Sequence, residues 1–132
     1  MKKIFKEAVK NYLESIEVKF DECKVNPHMG FVAKIEISGD ENYDIFVVVP
    51  KAKLDYIAEL WFGDKNEYDV DDLTKEIINL IVGNAKVIAE KKGVHFNIST
   101  PIFLGEYEKF KYDDILKFKF ENRCFYVIFK EK

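Results

Sequence analysis

Glu76 and Asn79 stand three residues apart within the run Asp71 to Lys86, DDLTKEIINLIVGNAK. On an α-helix this spacing sets both side chains on one face, one above the other. A carboxylate can grip a cation, and a carboxamide can both donate to and accept from a water. Asp72, Glu76, Asn79, Gly83, Lys86 and Glu90 follow one another along that face at steps of three or four. A glycine one turn beyond the pair leaves room for another backbone to approach. It also costs about 1 kcal/mol relative to alanine inside a helix, so it calls for a packing or functional reason. Such a face suits docking on a charged partner site and placing one water there. The plain alternative is a solvated helix face, since composition alone gives about one Glu-x-x-Asn match by chance. The chain contains this single match.

The elements that hold this face follow from periodicity. Leu73, Ile77, Leu80, Ile81, Ala85 and Ile88 recur at helical spacing and define an apolar stripe. Asp69, Asp71 and Asp72 lie around the start of the helix, where carboxylates favour the positive end of its dipole. Gly93, after Lys91-Lys92, marks its end. Before it, residues 3–16 predict an amphipathic helix. Strands follow over 18–25, broken at Asn26-Pro27, then over 30–38 and 43–49, and Pro50 opens a helix over 51–61. After it come a strand over 94–99, a short extended piece over 102–104, a loop over 105–114, and a terminal hairpin over 116–120 and 124–129. The pattern helix-strand-strand-strand, a spare helix, then the same again predicts an α+β fold. Residues 1–132 would form one domain, its single antiparallel sheet of six strands covered by helices.

The motif residues resemble those of a known family. Asp72, Glu76, Asn79 and Pro101 stand in the register of the motif of the CheC/CheX/FliY phosphatases of bacterial chemotaxis. The run from Asn79 through Gly83, Asn84, Ala85 to Lys86 is similar to the one typical of CheX-like helices. CheC and FliY usually carry two copies of the motif and CheX one. This chain has one, because the N-terminal helix offers Glu7 but Lys10 where asparagine is needed. The resemblance implies a pseudo-twofold CheC/CheX-like fold. It also implies a phosphatase acting on the aspartyl phosphate of a phosphorylated CheY-like response regulator. Asn79 would orient the attacking water, and Glu76 would pair with the receiver's lysine. Asp72 would contact the partner or cap the helix; Gly83 and Lys86 would face the partner; Pro101 would shape the loop beside the helix. No cofactor of its own is implied; the divalent cation, Mg2+, would be held by the receiver. The alternative is a catalytically silent binding module of the flagellar-switch type, which shares the fold without the Glu/Asn pair.

Composition excludes several other classes. Hydrophobic residues make up 48% of the 132, and the net charge is −3. No basic cluster suggests nucleic acid or an anionic membrane. The charged N-terminus is no signal peptide, and no stretch approaches the roughly 18 apolar residues of a membrane span, so a cytoplasmic protein is expected. His28 and His95 lack partners at ligand spacing, so no metal site is predicted. Cys23 and Cys124 read as isolated reduced thiols. The segment Tyr43 to Val49 is apolar on both faces, which calls for cover by helices or a second subunit. Together with two open sheet edges, this predicts a symmetric homodimer joined through those edges.

Overall fold

The computed structural model describes residues 1–132. The elements follow in the order α1 (Lys2–Ser15), β1 (Asp21–Glu22), β2 (Phe31–Gly39), β3 (Tyr43–Val49), α2 (Lys51–Phe62), α3 (Val70–Lys91), β4 (Phe96–Ile98), β5 (Ile102–Glu106), β6 (Asp114–Phe120) and β7 (Arg123–Glu131). All strands join one antiparallel sheet in the order β1-β6-β7-β3-β2-β4, with β5 also on β2. The order reads alike from both ends. β3 and β7 pair at the centre, and each is flanked by its hairpin partner, β2 or β6. The first strand of each half then crosses to the far edge of the other half, β1 onto β6 and β4 onto β2. The expected α+β architecture and pseudo-twofold layout are both present.

Strand alternation divides the core in two. Ala33, Ile35, Ile37, Ile45, Val47, Val49, Phe125, Val127 and Phe129 point to one face and pack under all three helices. Val32, Phe46, Val48, Tyr126 and Ile128 point to the other. Here the structure answers why β3 is apolar on both sides. The cover on this second face is the segment after β5, whose Tyr107, Phe110 and Tyr112 lie over the cluster. The Phe110 ring sits 4.7 Å from that of Phe46. The rest of this face carries ion pairs, Lys132 to Glu36 at 3.3 Å and Lys34 to Asp44 at 3.8 Å.

Four sequence expectations change. The sheet has seven strands rather than six, because residues 102–106 pair with β2 as β5. The strand expected over 18–25 shrinks to Asp21–Glu22. This segment starts with Val18 in the helix-side core and ends with Cys23 in the opposite cluster. A chain that must pass around the sheet edge cannot sustain a ladder there. The cysteines are not separate thiols: Cys23 and Cys124 form a disulfide, with Cα atoms 5.8 Å apart and a sequence separation of 101. Leu80, placed in the apolar stripe of α3, is 37% exposed.

The helix ends follow local rules. Gly63, with φ 75°, closes α2 in the left-handed region. After α3 the N–H of Gly93 donates to the Glu90 carbonyl and that of Val94 to Ala89, the paired bonds of a Schellman ending. On α2, Lys53 is only 1% exposed, and its ammonium stands 3.8 Å from the centre of the Phe120 ring. Burial pushes its pKa down to about 8, with the Glu121 charge pulling the other way. The folded-state value lies below the ordinary 10.5, so between the two the unfolded chain binds more protons and stability rises with pH. Lys53→Met should therefore stabilise the fold near pH 7 by roughly 1–3 kcal/mol. That advantage should fade as pH rises from about 8 to 10.5, as urea midpoints of variant and wild type across this range would show.

Candidate functional site

The site is built on α3. Asp69 caps the helix, its carboxylate accepting from the Asp72 N–H at 3.0 Å. Asp71 pairs with Lys75 at 2.6 Å. The carboxylates of Asp69, Asp71 and Asp72 come within 4.8 Å of one another, and these two bonds account for the first two as N-terminal charges. The cap is thus Asp69, not Asp72, whose side chain is 79% exposed.

Nine residues of α3 are buried: Leu73, Thr74, Ile77, Ile78, Ile81, Val82, Ala85, Ile88 and Ala89. Two successive positions per turn form this seam against α1 and the sheet. The one polar member, Thr74, donates its hydroxyl to the Val70 carbonyl at 2.7 Å, so the seam is internally satisfied. Asp72, Glu76 and Asn79 emerge exposed on the opposite ridge, with Gly83 and Lys86 half-buried farther along. These five sequence-derived residues therefore share one ridge. Nothing lies within 4 Å of where a Cβ at Gly83 would stand, so no contact within the chain requires a glycine there. Pro101 is apart from them, half-buried in the bend between β4 and β5. Lacking an N–H, proline cannot continue the ladder, and the edge against β2 is split at that point. His28 and His95 are exposed on separate connecting segments.

Beside the ridge runs an open groove of about 740 Å³, lined by Trp61, Phe62, Tyr68, Asp72, Glu76 and Leu80 among others. Phe62 is 60% exposed. Tyr68 is tied to α2, its hydroxyl donating to Asp55 at 2.6 Å and accepting from Lys51 at 2.8 Å. Burial first, then the bond to Asp55, pushes the Tyr68 hydroxyl pKa up. The groove thus joins an apolar wall to carboxylates from Glu67, Asp69, Asp72 and Glu76. Such a lining is complementary to a cationic side chain flanked by apolar ones. Sequence periodicity missed the wall. Its signal was the pair Trp61-Phe62 set directly before the helix-ending Gly63, too large and apolar for a plain helix end.

A family model described as chemotaxis phosphatase CheX matches residues 31–112, which contain α3 and its whole motif. The chain belongs to this family. Solved CheX structures share its fold along nearly the full length. CheX of Desulfovibrio desulfuricans superposes with a TM-score of 0.75 at 23% identity, covering 98% of this chain and 97% of that one. CheX of Vibrio vulnificus gives 0.76 at 19% identity over the same shares. A complex of CheX with CheY, BeF3 and Mg2+ from Borrelia burgdorferi gives 0.71 at 17% identity, covering 97% and 95%. No curated protein sequence matches the chain significantly. No helix is long and apolar enough to cross a membrane.

Proposed function

We propose that this CheX-family chain hydrolyses the aspartyl phosphate of a CheY-type response regulator, with Asn79 and Glu76 as the working pair. One observation carries the reading. The two residues whose types and register match the family motif are both exposed on one ridge of a helix whose other side is locked into the core. The Borrelia complex lends support, since that CheX is seen with CheY and a phosphoryl mimic. In the reaction the water oxygen attacks phosphorus, the bond to the aspartyl oxygen breaks, and inorganic phosphate and a free carboxylate result. The receiver's own Mg2+ and lysine hold the phosphoryl oxygens. What remains to be supplied is a water in line with the breaking bond. The Asn79 carboxamide orients that water by accepting from it. A carboxamide is no base near neutral pH, so orientation is its whole contribution. Glu76 pairs with the receiver's lysine and fixes the approach of Asn79. Asp72 and Lys86 contact the partner at either end of the ridge, and Gly83 lets its backbone come close. No cation site is assigned to this chain.

A cytoplasmic location goes with such a substrate. In a reducing compartment the Cys23–Cys124 bond opens to two thiols. Cys23 belongs to the cluster on the sheet face away from the helices, so the groove does not depend on it.

Asn79→Ala should lower dephosphorylation at least tenfold, an effect of the size seen for a positioning group. Phosphate release from phosphorylated receivers of the same cell measures it, with circular dichroism confirming the fold. Full activity in that variant would return the chain to the silent binding reading. Glu76→Ala and Gly83→Leu should instead weaken the complex with a receiver carrying Mg2+ and beryllofluoride. The first removes a charge-assisted contact of about 1.5–3 kcal/mol. The second fills the approach while improving helix propensity. Unchanged affinity in titrations of both would place the partner elsewhere.

The same reading includes a symmetric homodimer, with one ridge per subunit. The free side of β5 supports it: Ile102 and Leu104 are 51% and 50% exposed on an edge strand whose one charge, Glu106, stands at its very end. Sedimentation equilibrium at micromolar concentration should return twice the mass of one chain. A single-chain mass across the range would refute the dimer and leave the catalytic reading intact.

A further inference from the structure

Tyr12, on α1, is 3% exposed, and its hydroxyl is buried without a hydrogen-bond partner. Its ring stands edge-on to Trp61, with centroids 6.3 Å apart and planes at 86°. Trp61 and Glu76 line the same groove. Burial first, and then the charge of Glu76, pushes the Tyr12 hydroxyl pKa up, and Glu76 is the charged group that acts on it. A buried hydroxyl with no acceptor is destabilising, and phenylalanine would fill the same space without that cost. The fold thus keeps a donor it does not use, behind the Trp61 wall of the groove that Glu76 also lines.

We infer that Tyr12 is a positioning residue of the site: when a receiver covers α3, its hydroxyl donates to the Glu76 carboxylate and holds it toward the receiver's lysine. The inference rests on the role given to Glu76 above. In the free protein Glu76 is exposed, so its oxygens are open to solvent. Docking would shut solvent away from them. A carboxylate accepts several hydrogen bonds, so a tyrosine hydroxyl from behind and an ammonium from in front are compatible. Edge contact with Trp61 keeps the Tyr12 ring from turning away, and α1 packs directly on α3, so donor and acceptor sit on two elements fixed to each other.

Tyr12→Phe, Glu76→Ala and the double variant test this. The measurements are binding to a receiver carrying Mg2+ and beryllofluoride, steady-state dephosphorylation, and urea unfolding of the free proteins. Tyr12→Phe should unfold at the same or higher urea than wild type and bind the loaded receiver roughly tenfold more weakly. KM for the phosphorylated receiver should rise while kcat holds, and the substitution should have no further effect in the Glu76→Ala background. Wild-type binding by Tyr12→Phe, with Glu76→Ala weakened, would overturn the inference alone. So would an equal loss in both backgrounds, or a Tyr12→Phe protein that is less stable or does not fold, since either would make the hydroxyl structural. Wild-type binding by Glu76→Ala would overturn the role of Glu76, and the inference with it.

Discussion

The nine-residue seam of α3 fixes the rotation of that helix, and the rest of the site depends on it. Each fully buried leucine, isoleucine or valine in it is stabilising by about 1.5–3 kcal/mol. Turning the helix by a single residue would expose several of these at once. The ridge of Asp72, Glu76 and Asn79 therefore inherits its direction from side chains buried on the opposite side of the helix. Gly83 is the exception on this helix. Its cost of about 1 kcal/mol is offset by nothing within the chain, because the space above it is open.

The two halves of the fold divide the labour. The layout places α1 and α3 in equivalent positions, each leading its own set of strands, and both cover the same sheet face. Yet α1 shows Glu7 and Lys10 where α3 shows Glu76 and Asn79. The first half supplies mainly the surface against which α3 is held. The second half is also the one that gains a break in its first strand, at Pro101, and a long covering segment after β5. α2 belongs to neither repeat and contributes the apolar wall of the groove through Trp61 and Phe62.

Much of this was legible before any coordinates, and the failures have physical causes. β3 was read to its exact bounds and α2 and α3 to within a residue or two, because their apolar periods are long and their ends carry proline or glycine. The motif residues are legible as types at fixed spacing, and the structure sets all of them but Pro101 on one ridge. Periodicity could not show that Leu80 lies at the border of the seam, since a stripe two residues wide per turn blurs at its margin. It does not show how short β1 is, nor the disulfide, because both depend on a segment that changes sheet face and meets residues far along the chain. The groove wall and Tyr12 were invisible for the same reason: each acquires its meaning from another helix.

The segment between β5 and β6 has a consequence for motion. Its ends are tied by the Tyr107 N–H to the Gly30 carbonyl and the Asp113 N–H to the Phe129 carbonyl, while between them the Phe110 ring, tilted on Phe46, gathers the rings of Tyr107 and Tyr112. A strap of this kind detaches as a unit at a cost well below that of global unfolding. Each opening uncovers Phe46, Val48 and Ile128 on the back of the sheet, so the self-association hazard of this fold sits there. The helices and the α3 ridge lie on the opposite face. Opening at the back therefore leaves the ridge of Glu76 and Asn79 in place, and the two faces of the sheet can vary independently in this chain.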